Sequence, residues 1–259
     1  MNYKLLVVLI FLSIIIKAQD TLNQTDVAGK KQGHWIKYDD NKKKLYEGTF
    51  LNDIPVGKFT YFYDTGIPWA MSVFSKNGKV NYVKHFGAGG KLTGEGKYVD
   101  EKKDSLWRFY DDDEKLLSEE FYIDGIKNGR AKVYYVNGKV CEDKMWKNGK
   151  LNGLSKKYFE SGEIKHSCNY VDDKVEGKVV YYQALGKVLA EGAYKNDLKT
   201  GKWTFYNEDG TVKRVDVYVN GKKTGVDKDI ITKEQEDAER EKYKDYKIED
   251  PSQENYSPH

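Results

Sequence analysis

GKWTFYNEDGTVKRVDVYVNGKKTG, residues Gly201 to Gly225, is the cleanest copy of a plan on which most of the chain is built. Laid on a period of 24, its opening glycine recurs at Gly33, Gly57, Gly129, Gly153, Gly177 and Gly225; frames starting at Asn81 and Ser105 lose the glycine but keep the spacing. With the opening residue as position zero, position five is aromatic in all eight frames: Tyr38, Phe62, Phe86, Tyr110, Tyr134, Tyr158, Tyr182 and Tyr206. Position seventeen is aromatic throughout as well: Phe50, Phe74, Tyr98, Tyr122, Trp146, Tyr170, Tyr194 and Tyr218. In a chain with 14% aromatics, sixteen hits at two fixed positions define an internal repeat. A period of this length is the signature of stacked supersecondary units.

Each copy reads as one β-hairpin. Trp203 and Phe205 alternate with Thr204 and Tyr206, which puts positions two and four on one face and the position-five aromatic on the other. A turn follows, closed by glycine in most copies (Asp64-Thr65-Gly66, Glu208-Asp209-Gly210), and a second strand such as Val188 to Tyr194 leads into a second turn such as Asn220-Gly221. Turn residues interrupt every 8 to 12 positions, too often for an amphipathic helix. The expected fold is therefore all-β: an elongated array of antiparallel hairpins in a single twisted meander sheet of about sixteen strands. Gly87, Gly89, Gly90, Gly94 and Gly96 crowd the third copy, where a bend or bulge is expected.

The flanks differ from the array. Residues 1–19 carry Lys4 ahead of an apolar run from Leu5 to Ile16, short for a membrane span but suited to a cleaved export signal. Residues 20–32 form an N-terminal cap, and the repeats run 33–56, 57–80, 81–104, 105–128, 129–152, 153–176, 177–200 and 201–224. Residues 225–259 read as a charged helix, capped at Thr232, followed by a disordered tail. The leader implies an exported chain, in the periplasm, on the outer surface or secreted, with no integral membrane segment once the leader is removed.

The pattern of glycine, aromatics at alternate positions, Tyr, Asn/Asp-x-Gly, Glu-Gly-x-Tyr and Asn-Gly resembles the MORN-type repeat family. It is similar in particular to the bacterial variant labelled the YwqK-like antitoxin family. The match is clearest in Gly201 to Gly221, in Gly177 to Asn196 with Glu191, Gly192 and Tyr194, and in Gly33 to Asn52 with Glu47, Gly48 and Phe50. The resemblance covers residues 27–225 and implies the hairpin-repeat fold. It also implies scaffolding, targeting or membrane-proximal binding, with an antitoxin or immunity-like inhibitor as the alternative. Copies four to six depart from it, with Glu119-Glu120, Asp143-Lys144 and Ser167-Cys168 in place of Glu-Gly.

Composition and motifs point away from chemistry. The formal net charge is +3, and the balance of basic and acidic side chains leaves no clustered footprint for nucleic acid. His34, His85, His166 and His259 have no metal-ligand spacing. Cys141 and Cys168 sit at positions of opposite parity, which disfavours a bridge between them. Glu47, Glu95, Glu119, Asp143 and Glu191 share one position and form a row of cross-strand partners for lysine, which does not single out an acid and a base. No enzyme activity, cofactor or metal is expected. The expected function is binding or scaffolding of another protein, peptide or glycan of the cell envelope. The candidate surface is a row of rings at position two, Trp35, Phe59, Trp107 and Trp203; the competing reading is that the rings cover one another.

Overall fold

The computed structural model describes residues 21–75 and 77–226. The expected leader and the charged C-terminal helix with its tail lie outside these residues. Among the described residues the fold is all-β, with nineteen strands in antiparallel meander and no helix long and apolar enough to cross a membrane. The chain forms two compact units. The first runs to Leu92 and includes Tyr98–Glu101; the second takes Thr93–Lys97 and the described residues from Lys102 onward.

In the first unit lie β1 (Gln24–Thr25), β2 (Lys31–Tyr38), β3 (Lys44–Leu51), β4 (Ile54–Phe62), β5 (Pro68–Ser75) and β6 (Val80–Phe86). The residues of β7 (Leu92–Val99) divide between the units. The second holds β8 (Lys102–Tyr110), β9 (Leu116–Ile123), β10 (Ile126–Tyr134), β11 (Val140–Lys147), β12 (Lys150–Leu151) and β13 (Gly153–Tyr158). It continues with β14 (Ile164–Val171), β15 (Lys174–Tyr182), β16 (Val188–Lys195), β17 (Leu198–Tyr206), β18 (Val212–Val219) and β19 (Lys222–Val226). Sixteen strands become nineteen for three local reasons: the cap contributes β1, the ninth glycine frame contributes β19, and Asn152 splits one strand into β12 and β13.

The opening glycine does not begin a strand. β17 starts at Leu198 and passes through Gly201, whose φ of +66° is open to glycine at little cost. That residue faces the aromatic of position seventeen, as in the pairs Gly33↔Phe50, Gly57↔Phe74 and Gly201↔Tyr218. Position two faces position fifteen, as in Trp35↔Gly48 and Trp203↔Asp216. One residue shifts the register just before position five, at Phe205/Tyr206 and at its equivalents.

The two turns of each repeat differ in kind. The first closes by paired backbone bonds, Tyr63 N to Ile67 O and Gly66 N to Tyr63 O, with Gly66 at φ +83°. This is a three-residue loop ending in a left-handed residue. The first and fourth copies lack the glycine and place Lys42 (φ +63°) and Glu114 (φ +59°) there instead. Asp39 and Asp111 compensate, each accepting two backbone N–H bonds through one carboxylate oxygen. The second turn has two consecutive positive φ values, 50° and 65° at Asn196-Asp197, which Asn, Asp and Gly tolerate best. It reaches back to the previous hairpin. Asp197 Oδ1 accepts the Val175 N–H at 2.6 Å, and Asp53 and Asp173 do the same for Lys31 and Leu151.

Candidate binding surfaces

The seat of Trp203 shows how a one-layer meander makes a core. The indole is 1% exposed and lies over Gly192 of the preceding hairpin, where a Cβ would stand inside the ring. Gly48 under Phe59 and Gly96 under Trp107 are the same arrangement. Tyr194 meets the Trp203 ring edge to face at 5.3 Å and 89°, and Tyr218 closes the other side at 6.2 Å. The Lys199 ammonium sits 4.6 Å from the ring centroid, and Nε1 donates to the Ala193 carbonyl at 3.2 Å. Trp107 repeats this with Lys103 at 4.6 Å and a bond to the Lys97 carbonyl at 3.1 Å. Phe59 is clasped by Phe50 at 5.1 Å and Phe74 at 5.2 Å.

These contacts correct one expectation. Phe59 at 3% exposure and Trp107 and Trp203 at 1% do not line an open groove; they are the core, and only Trp35 is half-buried. The physical reason is the glycine at position fifteen, which lets the ring lie flat on backbone while position-seventeen rings and lysine stems cover its sides. The Glu-Gly pair was visible in sequence, but its glycine gives no sign there of which ring it receives. In the crowded third copy, Gly90 (φ +78°) closes the turn while Gly94 and Gly96 receive Phe109 and Trp107.

The opposite face carries the carboxylate row. Tyr110 donates to Glu95 at 2.8 Å, Tyr134 to Glu119 at 2.7 Å and Tyr206 to Glu191 at 2.7 Å, so the partner is the position-five tyrosine of the next repeat. Cations complete the ladder, with Arg108 3.1 Å from Glu119, Arg130 paired with Asp143, and Lys178 2.8 Å from Glu191. Burial and the Glu95 carboxylate push the Tyr110 phenol up to about 12, and burial with Glu119 does the same for Tyr134. The hydrogen bond from Tyr134 and the Arg108 guanidinium hold Glu119 below the usual carboxylate range. Such groups are fixed as ion-pair and hydrogen-bond partners; lysine was the expected partner, and tyrosine hydroxyls and arginines share that role with Lys178.

Sequence reasoning missed a second feature of this face. Leu106 and Phe121 are directly opposed, as are Arg130 and Met145, and Leu154 stands two residues from Lys156, the partner of Asp143. Leu106, Phe121, Met145 and Leu154 are 37%, 39%, 39% and 51% exposed. Leu106 and Leu154 occupy position one, where other copies carry Lys58, Lys178 or Lys202, and Phe121 and Met145 occupy position sixteen. The loss of lysine at position one was the available signal.

Between the two tryptophan seats of the second unit, copies five and six place Ala131 and Ser155 at position two, and polar groups gather there. Glu142 pairs with Lys144 and, at 3.1 Å, with Lys157. Burial lowers the His166 pKa and raises that of Cys168, so the imidazole stays neutral and the thiol protonated. Neither cysteine is bridged. No group of three potential metal ligands occurs among the described residues.

The first unit contains a cavity of about 750 Å3. Tyr61, Phe74, Tyr98, Ile54 and Pro55 contribute to its lining, with the acids Asp53, Asp100 and Glu101. Burial raises the phenol pKa of Tyr61 and Tyr98. The Asn81 Oδ1 atom of its lining is buried without a hydrogen-bond partner.

A family model described as a MORN repeat variant matches residues 31–52, 103–124, 151–172 and 199–220. Each match begins two residues before a repeat's opening position, close to where a hairpin's first strand begins. No curated protein matches the chain. Among solved structures, a crystal structure of TarM shares 17% identity over 46% of this chain, with a TM-score of 0.21. A mutant S. aureus TarM in complex with fondaparinux, alpha-GlcNAc-glycerol and UDP gives 17% over 46%, with a TM-score of 0.22. In both cases the chain spans 19% of that protein's length.

Proposed function

We propose that this chain, a protein of MORN-type repeats, is an exported, non-enzymatic binding or scaffold protein whose partner is another envelope or secreted protein. One observation carries the reading: the exposed row of Leu106, Phe121, Met145 and Leu154, set among Arg108 and Arg130. Phenylalanine, methionine and arginine are the residues that protein interfaces concentrate, and clustered apolar exposure on a soluble face marks a contact surface. The polar ladder beneath the row holds its two arginines in place, which limits the entropy they lose on binding. The apolar leader of residues 5–16 supports export.

The test is Phe121→Glu with Met145→Glu, both at exposed positions that leave the ring core untouched. Cross-linking in intact cells, followed by isolation of the chain, should recover one stoichiometric protein partner with the wild type and lose it with the double variant. Equal recovery from both, or no stoichiometric partner from either, overturns the reading. Export is read from the N-terminus of the isolated chain, which should begin near Asp20.

A further inference from the structure

In four repeats a lysine two residues before the opening position rests over the ring at position seventeen. Lys31 lies 4.7 Å from the Phe50 centroid, Lys103 5.1 Å from Tyr122, Lys127 5.1 Å from Trp146 and Lys199 5.5 Å from Tyr218. The second repeat has Pro55 there, uncharged and tied back to its own nitrogen. The third has Lys79, which is exposed and lies over no ring among the described residues. The position-seventeen rings of these two repeats, Phe74 and Tyr98, line the cavity of about 750 Å3 together with Pro55 and Lys79. The sixth and seventh repeats also lack the lysine and carry Leu151 and Val175, but Val175 packs into the cluster of Cys168, Val179 and Trp203 beside Tyr170 and Tyr194. There an apolar core takes the place of the cation, whereas Phe74 and Tyr98 border a cavity.

We infer that this cavity binds an organic ammonium group, which takes the place beside Phe74 and Tyr98 that a lysine of the chain fills over Phe50, Tyr122, Trp146 and Tyr218. Tyr61 adds a third ring to the lining, and aromatic faces attract a cation most strongly where water is partly excluded. Three carboxylates, Asp53, Asp100 and Glu101, outweigh the one ammonium of Lys79, so the lining favours a cation over an anion. Asn81 offers a buried acceptor, Oδ1, that has no partner. It suits an ammonium N–H, or a hydroxyl carried beside a quaternary nitrogen. The volume lies within the range of small-molecule sites. All of these residues belong to the first unit and none to the exposed apolar row, so this site and the protein partner can fail independently.

Choline and N-acetyl-lysine methylamide, titrated into the full chain and followed by amide NMR shifts, are the probes. The first stands for a free or lipid-borne quaternary ammonium, the second for a lysine carried by a polypeptide. At least one should shift Ile54, Phe74, Asn81 and Tyr98, and the tighter of the two identifies the source of the natural ammonium. The tert-butyl analogue of choline and N-acetyl-norleucine methylamide, alike in shape but uncharged, should bind at least about threefold more weakly. Pro55→Lys, which restores the lysine of the other repeats, should supply the ammonium from within and abolish the shifts. Asp100→Asn with Glu101→Gln, both at exposed turn positions, should weaken the ammonium by about two- to fivefold and leave the uncharged analogues unchanged. The inference is overturned if neither ammonium shifts a residue of the cavity, if the uncharged analogues bind as tightly, if Pro55→Lys leaves the ammonium bound as before, or if the acid variant weakens charged and uncharged probes equally.

Discussion

A methyl group added to Gly192 would enter the ring of Trp203, which Tyr194, Tyr218 and Lys199 hold on its other sides. The ring has nowhere to move, so Gly192→Ala should destabilise the second unit by about 1–3 kcal/mol in urea unfolding. Gly89→Ala is the control: its φ is not positive and nothing lies within 4 Å of the new Cβ, so stability should change by less than about 0.5 kcal/mol. The opposite sign is expected at Lys42, Glu114 and Ser105, which hold φ values of 63°, 59° and 61° where most repeats use glycine. Left-handed backbone costs a side-chain-bearing residue about 1–2 kcal/mol, partly offset by the freedom glycine gains when unfolded. Ser105→Gly should therefore raise the unfolding midpoint, by about 0.5–1 kcal/mol of stability. The period of 24 showed where glycine is missing, but only coordinates separate glycines kept for φ from those kept to receive a ring.

At the scale of the hairpin, the two turns were legible because their residues announce their own backbone. Asn-Gly and Asp-x-Gly mean positive φ wherever they stand. The one-residue shift before each position-five tyrosine was not legible, because simple alternation gives no warning of an extra residue. That shift still leaves the tyrosine hydroxyl against the acid of the preceding repeat, and a pH dependence follows. With the Tyr110 and Tyr134 phenols pushed up to about 12, against about 10 in the unfolded chain, the fold favours their neutral form. Their contribution is complete below about pH 10 and is lost as pH rises toward 12. Glu119 and Glu191 are shifted down, so their contribution is present above the unfolded carboxylate value and is lost as pH falls through the folded one. Unfolding midpoints across pH should fall at both ends. The double variant Tyr110→Phe, Tyr134→Phe should start lower at neutral pH and lose part of the decline between pH 10 and 12, the rest belonging to Tyr122, Tyr135 and Tyr170, whose phenols are also pushed up.

At the scale of the whole molecule, the expected meander was right, and of the two readings of the rings the one in which they cover one another holds, not the open row. A repeat with aromatics on alternate positions looks two-sided in sequence. In the structure one side buries its rings against its own glycines and lysine stems, leaving the other for a polar ladder and a short apolar row. A core assembled this way has a mechanical consequence. Trp203 draws its contacts from Tyr181, Ala193, Tyr194, Lys199 and Tyr218 and shares a core cluster with Val179 and Cys168, and Phe59 draws its own from Phe50 and Phe74, so each seat depends on nearby hairpins. Stability in such an array is a sum of nearest-neighbour terms, and damage should stay where it is made. Trp203→Ala removes about 3–5 kcal/mol from its own neighbourhood. Amide hydrogen exchange should then quicken across residues 164–219 and remain at the wild-type rate across residues 44–75. Uniform acceleration along the chain would mean that the repeats unfold as one body, and would remove the nearest-neighbour description of this core.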